Sequence, residues 1–182
     1  MSAVYKIVFT GPVGAGKTCA VRTLSDIEVV ATEARASDAV RHLKAETTVA
    51  MDYGVLNLPG GDRVRLYGTP GQERFDFMWE ILTENALGLV LLIDGSAADP
   101  VADLRRYLRA FDRFIADHVL VVGVTHTAWG RTAVRERIAD ALERQGLLPL
   151  VMSVDARERS DLVALIRTMI YCLDPHCALG AD

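Results

Sequence analysis

The chain has little of what builds extracellular, membrane-spanning or nucleic-acid-coating proteins. Its three cysteines (Cys19, Cys172 and Cys177) are too few and too scattered over 182 residues to form a disulfide framework, which fits a reducing compartment. "CLDPHC" has no second ligand pair elsewhere, so it does not read as a zinc site. The longest apolar run, "ALGLVLLI" at 86–93, falls far short of the roughly 20 residues that cross a bilayer. "MSAVYKIVFTGPVG" lacks a basic region followed by an apolar stretch and a cleavage site. Cys177 stands too far from the last residue for a prenylation box. Basic excess is missing too: 20 Lys and Arg face 24 Asp and Glu, a formal charge of −4, so nothing drives general binding to nucleic-acid phosphates. The expectation is a cytoplasmic protein with no integral membrane segment and no nucleic-acid partner.

What is present is alternation. "VYKIVFT" (4–10), "LGLVLLID" (87–94), "HVLVVGVT" (118–125) and "LPLVMSV" (148–154) are continuous apolar runs, as strands buried on both faces require. "TVAMDYGVLNL" (48–58) and "RVRLYG" (63–68) read as two more strands, joined by "PGGD" into a hairpin. Helical stretches separate them at 16–25, 74–85, 101–115, 132–146 and 160–173; the third puts Leu104, Leu108, Phe111 and Ile115 on one face. The pattern predicts one α/β domain over 1–173, a six-stranded, mostly parallel sheet with helices on both faces, and a short tail at 174–182. Residues 26–47 stand apart: they are long, mixed and poorly periodic, and such a connection is expected to be functional or mobile.

"FTGPVGAGKT" (9–18) carries the chemistry. Gly11, Gly16, Lys17 and Thr18 match G-x-x-x-x-G-K-[ST] between a predicted strand and a predicted helix. Gly11, Gly14 and Gly16 let the backbone turn so that N–H groups from Val13 and Ala15 through Cys19 face phosphate oxygens. The helix N-terminus adds a partial positive charge. Lys17 belongs between the β- and γ-phosphates, and the Thr18 hydroxyl is a magnesium ligand. The loop therefore predicts a P-loop site for a nucleoside di- or triphosphate.

With "TTVAMDYG" (47–54) and "LYGTPGQERF" (66–75), that loop resembles a Ras-like small GTPase, nearest to the bacterial MglA-like branch, in the same element order over nearly the whole chain. The resemblance implies GTP and GDP as ligands with Mg2+. It makes Thr48 (or Thr47) a second metal ligand closing over the γ-phosphate. Gly68-Thr69-Pro70-Gly71 replaces the family's D-x-x-G box, with the Gly71 N–H at the γ-phosphate. Because Gly68 replaces the aspartate, the metal is expected to rest on Thr18, Thr48, phosphates and water. Gln72 is the implied catalytic residue, orienting water for a slow hydrolysis. Asp94 ends the wrong strand for a metal role and is expected to cap a loop. Arg35 and Arg41 are candidates for an internal arginine finger, with solvated charge the favoured reading.

Two questions stay open at this level. Arg74, Phe75, Phe77, Met78 and Trp79 form either a partner-binding patch or, through Phe75, Met78 and Leu82, a buried stripe. The base pocket is the second. Thr125, His126, Thr127 and Ala128 occupy the family's N-K-x-D box, and Ala128 cannot accept the guanine bonds an aspartate accepts, each worth about 1.5–3 kcal/mol. His126 could stack on a purine, Thr125 could tie this loop to the phosphate loop, and Ala156 N–H, in "SVDARER", would meet the base O6. The resemblance further implies effectors reading residues 26–52 and 68–80, and a regulatory protein of the Roadblock/LC7 type. The alternative is a degenerate GTPase serving as a non-catalytic interaction module; an ATPase or kinase on the same loop is disfavoured.

Overall fold

The computed structural model describes residues 3–32, 51–71, 77–127 and 132–173. Thr48, Gln72, Ala128, Arg35, Arg41 and the tail from 174 lie outside them. Strand β1 (Val4–Thr10) is central, because Ile7, Val8 and Phe9 are wholly buried and need cover on both faces. It pairs in parallel with β4 (Arg63–Gly68) on one side and with β5 (Gly88–Asp94) on the other. β3 (Met51–Asn57) runs antiparallel to β4 and closes the predicted hairpin through Gly60 and Gly61. On the other flank β6 (Val119–Thr125) and β7 (Val151–Ser153) continue the parallel run, giving the order β2-β3-β4-β1-β5-β6-β7.

The seventh strand is β2 (Val30–Thr32), one more than the sequence suggests. Its three residues pair with Tyr53, Asp52 and Met51. An edge strand so short owes its existence to backbone bonds offered by β3, and no side-chain period announces it.

Alternation along β1 sorts the core into two layers. Ile7 and Phe9 pack with Val21 and Leu24 of α1 (Lys17–Leu24) and with Leu162, Leu165 and Ile166 of α6 (Arg159–Leu173). Val8 faces the other way, toward α2 (Phe77–Thr83), α3 (Pro100–Ala110) and α5 (Ala133–Glu143), through Trp79, Leu104 and Ile138. Each such fully buried side chain contributes roughly 1.5–3 kcal/mol.

The predicted helix 101–115 is broken. Asp99 caps α3 by accepting the Ala102 N–H at 3.1 Å, but Phe111 leaves the helical region (φ −111°, ψ 19°), and α4 (Asp112–Asp117) starts afresh. The Phe111 ring turns inward to stack on Trp79 at 5.0 Å, with Tyr107 on the same indole at 5.2 Å. Trp79 and Leu82 are 5% and 3% exposed, so these two belong to the core and not to a partner surface. Phe75 lies outside the described residues. Among the described residues no helix is long and apolar enough to cross a membrane.

Candidate functional site

β1 is flanked by β4 and β5, so the chain leaves it in opposite directions on its two sides. The crevice at the carboxyl ends of such strands is where α/β sheets take ligands. The loop 11–16 emerges there. Gly11 (φ +140°) threads so close to β5 that an added Cβ would lie 2.1 Å from the Leu92 carbonyl oxygen. Gly16 closes the loop in the left-handed region and becomes the N-cap of α1.

Lys17 is held under this loop. Its Nζ donates to the Gly11 and Pro12 carbonyls at 2.8 and 2.6 Å, and the residue is only 8% exposed. Desolvation pulls its pKa from 10.5 down to about 8, against the opposing pull of Asp52. The buried ammonium is electrostatically under-compensated, which is what a polyphosphate would correct. Between pH 8 and 10.5 the unfolded chain keeps a proton on Lys17 that the folded chain releases. The stability of the ligand-free protein should therefore rise with pH across that window, with the full penalty present below it. Lys6, also lowered by burial, adds to the same slope. Urea unfolding at pH 7.5 and 9.5 checks this: Lys17→Met should flatten the slope, and an unchanged slope would remove Lys17 as its source.

Gly71 stands against Lys17. A Cβ there would lie 2.8 Å from Lys17 Nζ and 2.8 Å from the Val13 backbone nitrogen. The strap leading to Gly71 is pinned to β1: Thr69 N–H donates to the Phe9 carbonyl at 2.8 Å, and Thr69 Oγ1 to Thr10 Oγ1 at 2.9 Å, both threonines buried.

The missing carboxylate has a replacement that sequence reasoning overlooked. Asp52 pairs with Gly68 across β3 and β4. A Cβ on Gly68 would meet Asp52 Cβ and Oδ2 at 3.2 Å. Asp52 Oδ2 accepts from Thr18 Oγ1 at 2.5 Å. The side-chain space opened by Gly68 is thus filled from the neighbouring strand. The expected set of Thr18, Thr48, phosphates and water did not include this carboxylate, which lies against Thr18. A hydroxyl and a carboxylate at hydrogen-bond distance are hard oxygen donors of the kind magnesium selects, so the residues present fit the ion. The signal was there to read: an aspartate mid-strand, in "AMDYG", where β-propensity disfavours it.

At the other end of the loop, Thr125 is 1% exposed and donates through Oγ1 to the Ala15 carbonyl at 3.0 Å, with the Ile93 carbonyl at 3.3 Å. It ties the loops together, as anticipated. His126 sits at φ +53°, uncommon for a side-chain-bearing residue, and its Nε2 lies 3.1 Å from the Gly14 carbonyl. A carbonyl only accepts, so the bond needs the Nε2–H form. Ala156 presses its methyl toward Gly16, where a Cβ would lie at 3.0 Å. Its carbonyl accepts from Thr23 Oγ1 at 2.8 Å and from Cys19 Sγ at 3.4 Å. Asp94, as expected, caps its own loop, accepting the Ser96 N–H at 2.8 Å and hydroxyl at 2.6 Å.

The described residues thus bring Gly11 through Cys19, Gly71, Thr125, His126 and Ala156 around one loop. No protein-family profile matches the chain. Curated relatives do. It is 26% identical to the Ras-related protein Rab-30 of Homo sapiens over 185 aligned positions, covering 98% of this chain and 81% of that one. The Ras-related protein Rab-1C of Dictyostelium discoideum is 27% identical, covering 84% and 72%, and Rab-1D of the same organism 27%, covering 65% and 55%. The chain has a Ras-like P-loop fold. In the last comparison the alignment spans little more than half of the relative's length. β1 and β4 run in parallel, so Thr18, in the first turn of the helix after β1, and Gly71, just past β4, come to the same end of the sheet.

Proposed function

We propose that the chain is a small GTP-binding switch protein that binds GTP and GDP with Mg2+ and hydrolyses GTP slowly. The observation that carries the reading is the buried Lys17 ammonium with Gly71 packed against it. A di- and a triphosphate differ in the group that lies there, so the position of Gly71 reports which one is bound. The resemblance to Ras-related proteins supports guanine nucleotides as ligands, and the Gly68 box favours the MglA-like branch. Gln72 is the proposed water-orienting residue and Thr48 a proposed metal ligand. Effectors would read residues 26–52 and 68–80, with a Roadblock/LC7-type protein as a candidate regulator.

Magnesium, when bound, neutralises charge on the β- and γ-phosphates. Thr18 and Asp52, among the described residues, would hold it together with the proposed Thr48. Titration with GTP, GDP and ATP, with and without Mg2+, tests the reading. The native protein should bind GTP at micromolar or lower Kd, roughly tenfold or more tighter with Mg2+, a gain of about 1.4 kcal/mol or more. Asp52→Ala should keep the Mg2+-free affinity and lose that gain. No binding to any nucleotide would leave an interaction module in place of a switch.

A further inference from the structure

We infer that Asp155 reads the guanine edge, its carboxylate accepting from the base N1–H and 2-amino group in the role Ala128 cannot fill. The inference rests on the proposed function and names the residue that sets its substrate.

The phosphate loop touches two groups of residues. Lys17, Thr18, Asp52 and Gly71 gather where the terminal phosphate and metal belong. Thr125, His126 and Ala156 bond or pack against Ala15, Gly14 and Gly16. The base of a nucleotide whose phosphates lie in the loop belongs with this second group. Among the described residues Asp155 is a carboxylate there: it immediately precedes Ala156 and lies within electrostatic reach of His126.

Its position is set from the backbone. The Asp155 N–H donates to Asp161 Oδ2 at 2.9 Å, and its Oδ1 accepts the Arg157 N–H at 2.9 Å. Arg157 Nε and Nη2 also donate to the carboxylate, at 2.9 and 2.6 Å, which lowers its pKa to about 2. The acceptor is therefore ionised at any working pH. The Arg157 side chain is 79% exposed, so its guanidinium can swing away or lie over the base while the backbone bond to Oδ1 persists.

The order of polar groups fits one purine. Successive residues offer an acceptor (the Asp155 carboxylate) and a donor (Ala156 N–H). Guanine presents two donors, N1–H and N2–H2, next to the acceptor O6. Adenine presents a lone pair at N1, which would face the carboxylate and be repelled. A site built on such bonds rejects the base that cannot make them.

The test is a set of Kd values for GDP, IDP, XDP and ADP in Mg2+, for the native chain, Asp155→Ala and Asp155→Asn. The native chain should prefer GDP to IDP, which lacks the 2-amino group, by tenfold or more. Asp155→Ala should lose at least thirtyfold for GDP with ADP unchanged. Asp155→Asn should gain at least tenfold for XDP, whose 2-oxo group accepts from the new amide. A variant that weakens all four nucleotides alike has only lost structure, and one that leaves the ratios at native values has lost nothing; either overturns the role of Asp155. A native chain that binds none of the four instead overturns the proposed function.

Discussion

Lys17→Met should cost on the order of a thousandfold in affinity for GTP and GDP, roughly 4 kcal/mol, while the ligand-free protein melts no lower than the native one. The two halves of that expectation have one cause. Among the described residues Lys17 keeps its charge under the loop with two carbonyls as hydrogen-bond partners, and its pKa falls from 10.5 to about 8. At about 1.4 kcal/mol per pKa unit, holding the charge costs the empty protein on the order of 3 kcal/mol below pH 8. Methionine spans the same stem without a charge to desolvate, so the empty fold loses a penalty together with its hydrogen bonds. A polyphosphate meets the opposite balance, since the ammonium is the one cation buried under the loop among the described residues. Calorimetric titration and a thermal melt of the same preparation read both halves. Triphosphate binding within tenfold of native would show that Lys17 is not the phosphate-binding ammonium.

Gly11→Ala should be the most damaging single-methyl addition in the loop, and Gly14→Ala a mild one. At Gly11 the backbone has φ +140°, and the new methyl would stand 2.1 Å from a β5 carbonyl oxygen. Neither backbone can yield without opening the pairing of β1 with β5. A cost of about 4 kcal/mol or more follows, at the limit of what single substitutions do and a large share of the roughly 5–15 kcal/mol that stabilises a domain. At Gly14 (φ +85°) nothing lies within 4 Å of the added carbon, leaving only left-handed backbone strain of about 1–2 kcal/mol. Denaturant midpoints of the two variants decide the matter. Equal losses would mean that loop strain, and not the approach to Leu92, requires glycine at residue 11.

How much of this was legible in the sequence depends on how far apart the interacting residues lie. Gly11, Gly16, Lys17 and Thr18 were readable because eight consecutive residues make the whole phosphate loop. The buried strands were readable because a strand covered on both faces must be apolar along its length. Trp79 could be assigned to core or surface only once Phe111 and Tyr107 were seen packed against its ring. The break at Phe111 has no proline or glycine to mark it, because the inward turn of the ring, a tertiary contact, causes it.

The chain by itself determined six of the seven strands in their order, the phosphate loop and the lysine within it. These follow from period and from local backbone chemistry, which short stretches carry alone. Only the tertiary structure decided that Asp52 stands in the place left by Gly68, that Gly71 abuts Lys17, and that Asp155 lies within electrostatic reach of His126. Those neighbours are set by strand register and loop packing between residues far apart in the chain, and no local pattern encodes a register.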